Sequence, residues 1–159
     1  MKSWIKTLPL LALCWVCTAS ELVPQAVETA KAAATVRIAP RLFETVDSAS
    51  PVKSAGAAVE LLKKQLLQIP EAPGGKKLKL YLALAGDPVF AGTPLAGLKL
   101  DRPQEYVLRF VESSDTVNVY AAGADNRGVF YAAATLAQLL TPEGLLLQDV
   151  RDYPTWELR

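Results

Sequence analysis

The chain has 159 residues, enough for one domain with appendages, and 51% of them are hydrophobic. Its formal net charge of +1 excludes the dense basic footprint of a nucleic-acid or anionic-membrane binder. It has no histidine, which excludes Ser-His-Asp, Cys-His and histidine-built metal chemistry within the chain.

Residues 1–20 read as a secretory signal peptide. Lys2 and Lys6 are its positive start, residues 8–16 are apolar apart from Pro9, and Cys17, Thr18 and Ala19 are small enough for cleavage. The apolar run falls short of the about 20 residues that a spanning helix needs. The expectation is an exported, periplasmic or extracellular protein with no membrane span. Removing Lys2 and Lys6 turns the net charge from +1 to −1. Cys14 and Cys17 lie in the leader, so their C-x-x-C spacing is not read as a redox or zinc site. Lipid attachment at Cys17 or Cys14 is the alternative, disfavoured by the bulk of Val16 and Leu13 just before them.

Residues 21–34 are an alanine-rich lead-in. Residues 35–40 alternate apolar and polar and predict a first strand, ended by Pro40, with a second short extended piece over 41–46. Ser50 and Pro51 predict a helix start as N-cap and first helical residue. Val52, Val59, Leu62, Leu66 and Ile69 make its buried stripe, and Pro70 ends it. Lys53, Lys63 and Lys64 lie outward as a solvated face, with a polyanion site as the sharper alternative.

Residues 78–84 predict a strand with one all-leucine face. The long loop 86–103 is expected to edge the sheet or to pack on a neighbouring domain, with ligand binding as the alternative. Residues 105–111 and 116–121 predict a β-hairpin, with Tyr106, Leu108 and Phe110 on one face and Val117, Val119 and Ala121 on one face of the partner.

The strongest helical signal runs from Asn126 to Leu140. Asp125 caps it, and Pro142 stops it. Val129, Phe130, Ala133, Leu136, Ala137 and Leu140 form its apolar stripe, with Arg127, Tyr131, Thr135 and Gln138 towards the other side. Residues 145–150 predict a last short strand. Two striped helices need one surface to cover. The expected fold is therefore an α+β two-layer sandwich, a mixed, mostly antiparallel sheet with two helices packed on one face.

The ordered set of Glu105-Tyr106-Val107-Leu108-Arg109-Phe110, Val117-Asn118-Val119-Tyr120, Asp125-x-Arg127-Gly128-x-Phe130-Tyr131, Thr135-Leu136-x-Gln138-Leu139-Leu140 and Asp152-Tyr153-Pro154-x-Trp156-x-x-Arg159 carries a resemblance. It resembles the small non-catalytic domain before the barrel of family 20 glycoside hydrolases, the β-N-acetylhexosaminidases. Related domains precede hyaluronidase-like, O-GlcNAcase-like and α-glucuronidase barrels. The resemblance implies an accessory domain over 35–150, a connection over 151–159, and a catalytic barrel that this chain lacks. It implies catalysis by an Asp-Glu pair in that barrel, assisted by the substrate's own acetamido group. No stretch here matches that pair, so no catalytic residue is carried over. No cofactor or metal is expected, and the chain alone is expected to be inactive. Arg159 stands where the family has a sugar-binding arginine, a role that exists only if the barrel follows.

Other candidates have plainer readings. Asp149 and Asp152 as an acid/base pair compete with a solvated turn, or with Asp152 bonding backbone before Pro154. Asp125 and Arg127 as an anion or sugar site compete with a helix cap and ion pair. Tyr153 and Trp156 as sugar-stacking rings compete with packing at a domain junction. The rival reading of the whole chain is a stand-alone exported module that binds a carbohydrate or a protein.

Overall fold

Alternating leucines build the middle of the sheet. A computed structural model of the protein describes residues 28–29, 34–50 and 52–154. Strands β1 (Glu28–Thr29), β2 (Thr35–Val36) and β3 (Ile38–Val46) lead into helix α1 (Ala55–Leu66) and strand β4 (Lys76–Leu84). The hairpin β5 (Tyr106–Glu112) and β6 (Thr116–Gly123) precedes helix α2 (Asn126–Leu139). Short strands β7 (Leu140–Thr141), β8 (Gly144–Leu146) and β9 (Val150–Asp152) follow.

The main sheet has six strands in the order β1-β9-β5-β6-β4-β3, and a three-stranded sheet runs β2-β8-β7. β4 lies parallel to both β3 and β6, and the remaining pairs are antiparallel. Both helices cover one face. Ala58, Leu62 and Leu66 of α1, and Val129, Ala133, Leu136 and Leu139 of α2, pack with Leu78, Leu80, Leu82, Leu108, Val117 and Val119. Each fully buried leucine contributes about 1.5–3 kcal/mol. The fold is the α+β sandwich that the two helical stripes predict.

Several boundaries differ, each for a local reason. Pro40 does not end the first strand: β3 continues to Val46. β3 is an edge strand, where a residue without an N–H is tolerated, and its register slips between Ile38 and Phe43 to pass it. The first helix starts at Ala55 rather than beside Ser50. The backbone N–H groups of Ala49 and Ser50 instead donate to the Asp87 carboxylate at 3.2 and 3.0 Å. Pro51 lies outside the described residues. The second helix ends at Leu139, and Leu140 turns into β7. The strand expected over 145–150 is two strands, β8 and β9, in different sheets.

The stripe of α2 is also rotated from the expected one. Ala132, Thr135 and Leu139 are buried, whereas Phe130 and Ala137 are half-buried. The loop 86–103 closes over the other face of the sheet. Its 3-10 turn, Pro88–Phe90, is capped by Asp87, which accepts from Val89 N at 2.9 Å. Phe90 and Leu95 pack against Ala83, Val107, Tyr120 and Ala122, so this end of the sheet has a second core.

Gly123 marks the tightest helix-sheet contact, since a Cβ there would sit 2.2 Å from the backbone nitrogen of Val129. Gly56 meets nothing within 4 Å. Gly123→Ala is expected to destabilise by about 1–3 kcal/mol through overpacking against backbone. Gly56→Ala is expected to stabilise by about 0.4–1 kcal/mol by restricting the unfolded chain. Urea unfolding of both variants checks the contrast.

Candidate functional site

The polar junction where the chain leaves the sheet is built on Glu105. This residue, just before β5, is only 2% exposed. One carboxylate oxygen accepts from the backbone N–H groups of Asp101 and Arg102, both at 3.1 Å. The other faces Arg151 of β9, with Nε at 2.8 Å and Nη2 at 2.6 Å. Every strong acceptor direction is used, which is the condition for burying a carboxylate. Burial pushes the Glu105 carboxyl up. The Arg151 guanidinium and the backbone donors outweigh it and hold the group below its ordinary value of 4.5.

Its neighbours lock the same turn. Gln104 has φ 62°, a left-handed conformation that costs energy for a side-chain-bearing residue. The Asp125 carboxylate holds it there, accepting from Gln104 N at 2.9 Å. Its other oxygen accepts from Gly128 N at 2.8 Å and caps α2. Burial raises the Asp125 carboxyl, but backbone donors and the Arg127 charge bring it below 3.8. Gly128 lets the helix start touch β5, because a Cβ there would sit 2.5 Å from the Glu105 carbonyl oxygen. Aspartate and glycine of the D-x-R-G pattern therefore have defined duties, while Arg127 is exposed.

On the other face of β5, the Tyr106 hydroxyl lies 2.7 Å from Thr135 Oγ1 of α2 and donates to Asp152 at 3.1 Å. Thr135 thus points inward, contrary to the outward position expected for it. Burial raises the Tyr106 pKa, and the nearby Asp152 charge adds to this, so the phenol stays neutral and donates.

Asp149 and Asp152 have different partners. Asp149 accepts from Phe110 N at 3.1 Å and lies 3.6 Å from Arg109 Nε. Asp152 accepts from the Tyr106 hydroxyl. The guanidinium of Arg102 stacks 3.8 Å above the Tyr153 ring, so one ring face is already occupied. Trp156 and Arg159 lie outside the described residues. Lys63 pairs with Glu60 at 2.9 Å, while Lys53 and Lys64 are exposed.

Glu28, Asp101, Arg102, Glu105, Arg151 and Tyr153 line a cleft of about 300 Å³. A general acid needs a carboxyl kept protonated near neutral pH, and Glu105, held below its ordinary value, is not set up as one. Among the described residues no cluster of three or more metal-ligating side chains occurs, and no helix is long and apolar enough to cross a membrane. Glu105 enters the sequence reading only as the start of a strand and of the resemblance pattern, with no part in a site. Its partner Arg151 is 46 positions away, and neither residue stands out in composition or periodicity.

Among the described residues, buried Glu105 and Thr135 are tied to strands of the sheet and buried Asp87 to the segments on either side of it. The family model for glycosyl hydrolase family 20, domain 2, matches residues 19–153. The chain belongs to that family, whose enzymes keep the catalytic barrel in a separate domain.

Among solved structures it is similar to one titled "Structure of CpGH84B", with a TM-score of 0.61 and 17% identity over 87% of this chain and 23% of that one. That likeness shows a shared fold. A glycoside hydrolase family 20 β-N-acetylglucosaminidase aligns with a TM-score of 0.49 and 20% identity, over 82% of this chain and 22% of that one. The β-N-acetylhexosaminidase from Bacteroides fragilis NCTC 9343 aligns with a TM-score of 0.49 and 16% identity, over 85% and 25%. The chain spans about a quarter of the length of these structures. No match was found among curated proteins.

The lowered pKa values of Glu105 and Asp125 fix a sign. The folded state releases these protons more readily than the unfolded state, so their stabilisation is complete above their ordinary values of 4.5 and 3.8. It is lost as the pH falls through the lower folded values. Glu105→Gln is expected to lower the urea midpoint at pH 7, and the gap from the unsubstituted protein is expected to shrink as the buffer is taken below pH 4.5.

Proposed function

We propose that this chain is the exported accessory domain of a β-N-acetylhexosaminidase-type glycoside hydrolase. Its task is structural: it packs beside a catalytic barrel and stabilises it, and the glycan meets the enzyme only through that barrel. The observation that carries the reading is the family 20, domain 2 match over residues 19–153. The two committed carboxylates support it, because burial's upward push on Glu105 and Asp125 is outweighed and both are held below their ordinary values, away from the range of a general acid. Lys2, Lys6 and the apolar run 8–16 support export to the periplasm or the extracellular space. Arg159 contacts a sugar hydroxyl in this reading only when the barrel follows it.

The second reading is a stand-alone carbohydrate- or protein-binding module. The observation in its favour is the polar cleft beside Tyr153. Against it, the charges of Glu105 and Arg151 in that cleft are spent on each other.

Sequencing the coding frame beyond the Arg159 codon separates the two. An open frame that continues into a barrel with an Asp-Glu motif supports the enzyme, and a stop codon there overturns it. Hydrolysis of an aryl N-acetyl-β-glucosaminide is the companion assay. The protein extended through the barrel is expected to release the aryl group, and the 159-residue chain is expected to release none. Hydrolysis by the shorter chain overturns the accessory role. With a stop codon, calorimetric titration of chitin oligomers into the 159-residue chain decides for or against the module.

A further inference from the structure

β9 is too short to hold itself by its ladder alone. It pairs through three residues with β5 and through two with β1. Yet every residue from Asp149 to Tyr153 has its own anchor. Asp149 accepts from Phe110 N and faces Arg109. Val150 is fully buried, and its carbonyl oxygen lies 3.5 Å from Arg109 Nη1. Arg151 points to one face of the sheet and closes on Glu105. Asp152 points to the other face and takes the Tyr106 hydroxyl, itself tied to Thr135 of α2. Tyr153 lies beneath Arg102, whose backbone N–H is already fixed by Glu105.

The two central anchors come from consecutive residues. Glu105 and Tyr106 project to opposite faces at the start of β5 and grip consecutive residues of β9. A terminal strand frays unless it is tied down, and a strand gripped on both faces cannot rotate or slide in register.

We infer that Glu105 and Tyr106 are positioning residues that clamp β9, fixing the direction in which the chain leaves the domain towards whatever follows it. The use of that direction, to set the orientation of a catalytic domain, rests on the proposed function above. The clamp itself does not.

The test uses the 159-residue chain and reads position 154 and local exchange, not activity. Cys14 and Cys17 are replaced by serine, and nitroxide labels are placed at Lys64→Cys on exposed α1 and at Pro154→Cys, the residue after Tyr153. In the otherwise unsubstituted chain, double electron-electron resonance is expected to give one narrow distance. Glu105→Gln and Tyr106→Phe are each expected to broaden it. Amide exchange at residues 150–153 is expected to quicken by about tenfold or more while α2 and β4 keep their protection, the signature of local rather than global opening.

A merely structural role for Glu105 would quicken exchange in all elements together, and that result overturns the inference. So does a distance distribution already broad without the substitutions, or one unchanged in both variants. Should Glu105→Gln fail to fold, Tyr106→Phe decides, since it removes one oxygen and keeps the ring in the core. A stop codon after Arg159 would overturn the enzyme reading and leave the clamp to be judged on these measurements.

Discussion

The buried carboxylate of Glu105 is the constraint around which the junction is arranged. A carboxylate out of water is tolerated only where donors replace the lost hydration. Here two backbone N–H groups and one guanidinium do so. Arg151 is 37% exposed, so water screens the pair from one side, and its worth falls below the about 3–5 kcal/mol that breaking a fully buried pair costs. What the pair determines is shape. The donors of Asp101 and Arg102 reach Glu105 only if residues 101–105 form a tight turn, and that turn places Gln104 in a left-handed conformation. Asp125 then satisfies the Gln104 N–H, and Gly128 admits the Glu105 carbonyl. The helix cap, the turn and the start of β5 are one unit.

The sheet divides its labour by face. The helix-covered face is almost wholly aliphatic, and its leucines come from β4 and β5 in simple alternation. The opposite face is closed at one end by loop 86–103 rather than by a helix, and Asp87 ties that loop back to the segment before α1. The parallel placement of β4 between β3 and β6 follows from connection length. A parallel pair needs a crossover, and α1 supplies it between β3 and β4. Beyond α2, Pro142 and Gly144 reverse the chain. Gly144 has φ 138° and lies so close to Val36 O that a Cβ would sit 2.3 Å from it, which brings β8 against β2.

Features legible in the sequence are those set by neighbours on the same element. The leucine alternation of β4, the hairpin and the Asp125 cap all belong to this class. The sandwich itself was legible because two striped helices leave few other solutions. Features set by distant partners were not. Pro40 reads as a strand end locally and is permitted only because β3 turns out to lie on an edge. Ser50 reads as a helix cap until Asp87, 37 positions on, claims its backbone. Thr135 reads as outward until Tyr106, 29 positions earlier, supplies a buried partner. Among the candidate site residues, Asp149, Asp152 and Tyr153 were singled out for chemistry. The structure engages each in holding the exit, through partners on β5 and in the turn before it.

Departures from local preference are concentrated rather than scattered. Among the described residues, Gln104 is the only non-glycine with positive φ. Of the three buried polar or charged residues among the described ones, Glu105 and Thr135 belong to the junction. Proteins tolerate such departures where function repays them, and in an enzyme they mark the reacting centre. Here Glu105 and Arg151 neutralise each other, and the Tyr106 hydroxyl donates to Asp152. The same concentration suits the accessory role proposed above, in which the junction holds the chain's exit in place. A catalytic site keeps a carboxyl partly unsatisfied so that it can exchange a proton, whereas a junction saturates its carboxylates so that nothing moves. Glu105 accepts from a guanidinium and two amides, and Asp125 from two amides. That saturation is what a fixed junction requires of its carboxylates, in a chain that matches the glycosyl hydrolase family 20, domain 2 model.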